Sequence, residues 1–277
     1  MQATEAPHTT PPPSPVAWQE RLHVAVRGPE DGPPVLLLHG WGSSARLMEP
    51  VAEALADRYR VFNVDLPGHG YSPPPPVPWG VSEHAALVAQ LIRTRIGRPV
   101  VLIGHSNGGR IGLYLAAEPE GRDLLRALVL ISPSGMRPHR PWHYYVRATL
   151  ARLLKAPFQV LPQPLREPAL DWLRHTIVWK ALGSSDYRRL DGVMRETFVR
   201  IVNTYVEDRL ERITIPVLVF WGEGDRAVSR EQMDRLVRAL PDAGLVVLKQ
   251  AGHYGYLDDP DTFIAATRYF LEHLPKD

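Results

Sequence analysis

The chain has 277 residues, enough for one large α/β domain with room for an insertion. It contains no cysteine, which excludes a disulfide framework, a thiolate zinc site and a cysteine nucleophile. Its net charge of +2, with 22% charged and 44% hydrophobic residues, is that of an ordinary globular protein and provides no field that would gather nucleic acid.

Residues 1–17 are rich in proline and read as a disordered tail. They have neither a basic n-region nor an apolar core, so no secretory signal is expected. No stretch approaches the ~18 apolar residues of a membrane span. The cytoplasm is the expected location.

Leu22–Val26 reads as an edge strand. Val35–Leu38 is a short apolar run suited to a strand buried on both faces, and it ends in His39-Gly40-Trp41-Gly42. Helical spacing follows at Leu47, Val51, Ala54 and Leu55. Val61–Val64 is the next strand and runs into Asp65-Leu66-Pro67-Gly68-His69-Gly70-Tyr71-Ser72. Pro73–Pro76 forbids regular structure. Ser82–Ile96 has helical periodicity, with Ser82 as the expected N-cap. Val100–Ile103 is a further buried strand, Arg110–Ala117 a helix, and Leu125–Ile131 another strand.

The rhythm then breaks. From Gly135 to about Glu211 no buried strand is expected, and three apolar helical stripes replace it. The residues 135–211 are therefore expected to form a helical cap inserted into a core domain of 18–134 and 212–277. Strand and helix alternate again at Pro216–Trp221, Arg230–Leu240, Leu245–Leu248 and Pro260–Leu274. This alternation predicts an α/β fold, a mostly parallel central sheet with helices on both faces.

Gly104-His105-Ser106-Asn107-Gly108 fits G-x-S-x-G between a strand and a helix, the setting of a nucleophile elbow. Small neighbours let the backbone turn sharply and expose Ser106. The amide of Asn107 then lies at a helix N-terminus, free to donate to an oxyanion. Asp225 and His253 follow the strands Pro216–Trp221 and Leu245–Leu248. Ser106, His253 and Asp225 are thus candidate nucleophile, base and orienting acid. A serine hydroxyl needs a neutral imidazole to take its proton, and a carboxylate holds that imidazole in the right tautomer. Asp258 and Asp259 follow His253 too closely to reach it easily. Trp41 is the expected second oxyanion donor.

The pieces HGWG, DLPGHGYS, GHSNGG, WGEGD and AGH, in this order, resemble the α/β-hydrolase superfamily over nearly the whole chain after the tail. The resemblance implies a cofactor-free serine hydrolase of the carboxylesterase type, acting on a small-molecule ester through an acyl-serine. One alternative is a carbon–carbon bond hydrolase of the meta-cleavage-product type. Members of that group carry Trp after the catalytic His and a G-N-S-M-G-G elbow, where this chain has Tyr254 and GHSNGG. Another is a non-catalytic small-molecule receptor on the same fold. Ser106 stands where epoxide hydrolases and haloalkane dehalogenases have Asp.

Other residues have quieter expected roles. His39 and His105 are expected as structural neighbours of the site, and Asp65 and His69 as organisers of their loop. His139, His143 and His175 show no metal-ligand spacing. Cap aromatics such as Trp142, Tyr145 and Trp172 are expected mainly to pack, and Arg137 and Arg140 to be solvated. Oligomeric state is left open.

Overall fold

A computed structural model describes residues 18–139 and 192–275, with the isolated positions 149 and 162. The chain divides into two compact units, Met1–Arg137 with Gly192–Asp277, and Pro138–Asp191. The predicted tail, most of the predicted cap, its aromatic residues and Arg140 lie outside the described residues. The flanks of that cap, 135–137 and 192–211, belong to the first unit.

The first unit is built on seven strands: β1 Val24–Arg27, β2 Pro34–Leu38, β3 Arg60–Val64, β4 Val100–His105, β5 Leu125–Ile131, β6 Val217–Gly222 and β7 Ala243–Leu248. Their order is β1-β3-β2-β4-β5-β6-β7. Only β1 runs antiparallel, against β3; the other pairs are parallel. The predicted mostly parallel sheet is therefore the observed one.

Side chains of each central strand alternate between two separate cores. Leu36, Leu38, Leu102, Leu128, Val219 and Trp221 enter one. Val35, Leu37, Val101, Ile103, Val129 and Phe220 enter the other. This is why these strands read as unbroken apolar runs: both faces are covered. The first core is closed by α2 (Val81–Leu91), α3 (Asn107–Ala117) and α5 (Arg230–Ala239). The second is closed by α1 (Ala45–Leu55) and α6 (Pro260–Glu272). Between α3 and α5, α4 (Gly192–Val202) buries Thr197 and Ile201 on the first unit.

One helix start differs from expectation. The N-cap of α2 is Gly80, not Ser82. The Glu83 carboxylate accepts the Gly80 N–H at 2.8 Å and the Ser82 hydroxyl at 2.9 Å, so that hydroxyl is used as a donor inside the first turn. Trp79 packs edge-on to His84, whose Nδ1 meets the Gly80 carbonyl, and this pair sets the entry of the chain. By contrast α5 has the expected kind of start: Ser229 and Gln232 cap each other reciprocally.

Candidate active site

The direction of strand order reverses between β2 and β4, and in open α/β sheets the site lies there, beyond the carboxyl ends. Leu38 pairs with Gly104, so the loops leaving β2 and β4 emerge side by side. The β2 loop is His39–Ser44 and the β4 turn holds Ser106.

Ser106 has φ 49° and ψ −106°, a strained backbone for a side chain other than glycine. The local sequence enforces it. A Cβ on Gly104 would stand 2.6 Å from Gly108 C and Gly109 N, and one on Gly108 would stand 2.2 Å from the Leu38 carbonyl oxygen. Only glycine at both lets α3 start so close to the sheet. The turn is held by Ser106 N–H donating to Ile131 O at 2.9 Å, and by Arg110 and Ser134 N–H donating to Ser106 O.

Asp225 lies just beyond β6, with its side chain sealed from solvent. Its Oδ2 accepts from His253 Nδ1 at 2.9 Å, and its Oδ1 from the amides of Ala227 at 2.7 Å and Val228 at 3.1 Å. Burial pushes this carboxyl upward. The hydrogen bond from His253, the neighbouring Ser132 hydroxyl, the His253 charge and the Val228 amide outweigh that, and the net shift is downward. An ionised Asp225 accepts the Nδ1 proton and leaves Nε2 of His253 as the basic nitrogen. The rival carboxylates are used elsewhere: Asp258 accepts the Gly252 N–H at 2.8 Å, and Asp259 caps α6.

His105 joins the two halves. Its Nε2 donates to the His253 carbonyl at 2.9 Å, and the two rings lie 4.8 Å apart. His253 is thereby fastened to the residue preceding Ser106. Tyr254 covers the same His105 ring at 4.8 Å. Among the described residues, neither the Trp41 N–H nor the Asn107 N–H donates to a protein acceptor. No three His, Asp or Glu side chains gather as metal ligands among the described residues.

Arg137 is paired with Glu207 and Asp208 at 3.6 and 3.4 Å and lies over Tyr205, a surface arrangement. Asp65 ties loops together, accepting from the amides of Ala45 and Tyr71 and from His23. Three neighbours escape sequence reasoning. Ser132, at φ 43°, is buried beside Asp225, yet Ile131-Ser132-Pro133 reads only as a strand end. Phe198 on α4 lies 5.2 Å from the Trp41 ring; its spacing from Met194 and Ile201 marks a packed face but not the residue it meets. Arg110 is buried under α4 and donates to the Ile201 carbonyl, and burial lowers its guanidinium to about 10. No local pattern marks Ser132 or Arg110 as a neighbour of the site.

Three buried imidazoles give the unit a defined acid sensitivity. Burial lowers His39 and His84 to about 4 and His105 to about 3. Unfolded, each titrates near 6.5 and binds its proton more readily. Stability is therefore complete above about pH 6.5 and is lost as pH falls toward the folded values. Each imidazole costs on the order of 2 kcal/mol between pH 7.5 and pH 5. Urea unfolding at the two pH values is expected to show a much lower midpoint at pH 5. Equal midpoints would mean that these rings are already protonated in the folded protein.

A family model described as the alpha/beta hydrolase fold matches residues 33–260. The chain belongs to the α/β-hydrolase fold family, and it is a hydrolase. It is 31% identical over 249 residues to pimeloyl-[acyl-carrier protein] methyl ester esterase of Chromobacterium violaceum, covering 87% of this chain and 95% of that one. It is 27% identical over 268 residues to 2-(acetamidomethylene)succinate hydrolase of Mesorhizobium japonicum, covering 91% and 92%. The solved esterase of Exiguobacterium antarcticum shares the fold with a TM-score of 0.68 at 20% identity, over 91% of this chain and 95% of that one.

Proposed function

We propose that the protein is a carboxylic ester hydrolase that works through an acyl-Ser106 intermediate without a cofactor. The observation that carries this reading is the His253 Nδ1–Asp225 pair fastened, through His105, to the strained turn at Ser106. Similarity to a methyl ester esterase supports it.

Ser106 Oγ attacks the ester carbonyl carbon while His253 Nε2 takes the hydroxyl proton. The carbonyl oxygen gains the negative charge, and the amides of Trp41 and Asn107 stabilise it. Collapse of the tetrahedral species breaks the bond to the alcohol oxygen, which leaves with the proton from His253. Water, deprotonated by the same imidazole, then attacks the acyl carbon. Ser106 departs with that proton, and the acid is released. Asp225 stays ionised throughout and stabilises the imidazolium formed at each step.

A panel of p-nitrophenyl esters of graded acyl length, with one meta-cleavage product beside them, tests the reading. Turnover of at least one ester well beyond one equivalent, unaffected by chelator, is expected. Binding without turnover would identify a receptor, and turnover of the meta-cleavage product alone would identify a carbon–carbon bond hydrolase.

A further inference from the structure

Two histidines outside the triad hold the backbone on either side of Trp41. His39 Nε2 accepts the Leu66 N–H at 2.9 Å, and its Nδ1 lies 2.7 Å from the Gly40 carbonyl oxygen. A backbone N–H can only donate, so Nε2 of His39 is unprotonated and Nδ1 carries the proton. His69 repeats the pattern. Its Nε2 accepts the Gly42 N–H at 3.1 Å, and its Nδ1 donates to the Pro67 carbonyl at 3.0 Å.

These contacts fall on particular peptide groups. Gly40 C=O and Trp41 N–H belong to one planar peptide, and Trp41 C=O and Gly42 N–H to the next. His39 pins the first by its carbonyl, helped by Ser43 N–H at 3.3 Å, and His69 pins the second by its N–H. In a trans peptide the N–H points opposite to the C=O, so fixing Gly40 O fixes the direction of the Trp41 N–H. That N–H has no protein acceptor among the described residues. The loop also abuts the elbow: a Cβ on Gly40 would stand 3.2 Å from Ser106 Cβ. The Trp41 ring itself is packed 4.8 Å from His69 and 5.2 Å from Phe198.

We infer that His39 and His69 are positioning residues which clamp the two peptides around Trp41 and so aim its amide at the oxyanion. The inference rests on the esterase reading for its chemistry, but the clamp itself is a feature of the fold. Both imidazoles must be neutral to accept a backbone N–H. Burial, the first influence on each, lowers both, with His39 at about 4. The ionisable groups facing them are Asp65, which pulls both upward, and each other, with His105 beside His39 and His84 beyond.

His69→Phe keeps a ring beside Trp41 and removes the acceptor; His69→Gln restores an acceptor oxygen. A lost oxyanion donor costs about 10²–10³ in kcat, and misaiming one costs part of that. With a p-nitrophenyl ester, His69→Phe is expected to lower kcat about 10–100-fold with KM nearly unchanged, and His69→Gln to recover most of it. An unchanged kcat in His69→Phe, or a loss confined to KM, would overturn the inference. A second measurement needs no variant. Nitrogen-15 shifts of the wild-type imidazoles at pH 7.5 are expected to show His39 and His69 with Nδ1 protonated and Nε2 bare. Protonated Nε2 on both would overturn the clamp even if His69→Phe failed to fold. A wild-type protein with the expected tautomers and no ester turnover would overturn the esterase reading and leave the clamp standing.

Discussion

Ser106→Ala is expected to leave a folded protein whose ester turnover falls about 10⁴–10⁶-fold. In the proposed mechanism Ser106 Oγ forms the bond to the acyl carbon, so its loss would remove the covalent route rather than a stabilising contact. Residual rate would come from the amides of Trp41 and Asn107 acting on water attack. The fold tolerates the change because the turn is held by backbone groups, Ser106 N–H on Ile131 O and Arg110 N–H on Ser106 O. Alanine has no advantage over serine at φ 49°, so the strain is kept, not relieved. Circular dichroism and the thermal midpoint are expected to match wild type. A fluorophosphonate probe is expected to label the wild-type protein once and the variant not at all. Labelling that persists in the variant would place the nucleophile elsewhere.

Asp225→Asn has the next largest expected effect, about 10⁴ in kcat. The amide can no longer accept with full charge at Oδ2, and its NH2 favours the wrong imidazole tautomer. The Asp225 carboxyl is held low in part because His253 donates to it, and a neutral amide cannot replace that acceptor. Pre-steady-state acylation of a p-nitrophenyl ester reads the loss. A near wild-type acylation rate in Asp225→Asn would mean that Asp225 does not orient His253. Asp258→Asn is expected to cost far less, since that carboxylate meets only the Gly252 amide.

The sheet was legible because its strands are buried on both faces, and such strands need no alternation to be recognised. The elbow was legible for a steric reason: Gly104 and Gly108 stand where any Cβ would strike backbone. Helix starts were less so. At α2 the Glu83 carboxylate serves both the Gly80 N–H and the Ser82 hydroxyl, so the sequence offers two candidate starts without choosing between them. The carboxylate partner of His253 was readable by position after β6, and the spacing that set Asp258 and Asp259 apart is matched by the other hydrogen bonds those two make. The two-histidine clamp was hidden for a different reason. His39 was visible as a structural neighbour of the site and His69 as an organiser of its loop, but the hydrogen bonds His39 makes with Leu66, and His69 with Gly42, cross between loops 27 residues apart in the chain. No local periodicity encodes a contact of that kind. Ser132 was missed likewise, because only the neighbouring strand brings Asp225 beside it.

The central claim is that the acyl group passes through Ser106. Rapid acid quench of the wild-type protein with a p-nitrophenyl ester, followed by peptide mass spectrometry, tests it most directly. The predicted result is the acyl mass on the peptide containing Ser106, appearing with the burst of p-nitrophenol and decaying in step with turnover. Acyl mass on any other residue, or full turnover with Ser106 never modified at any quench time, would contradict it.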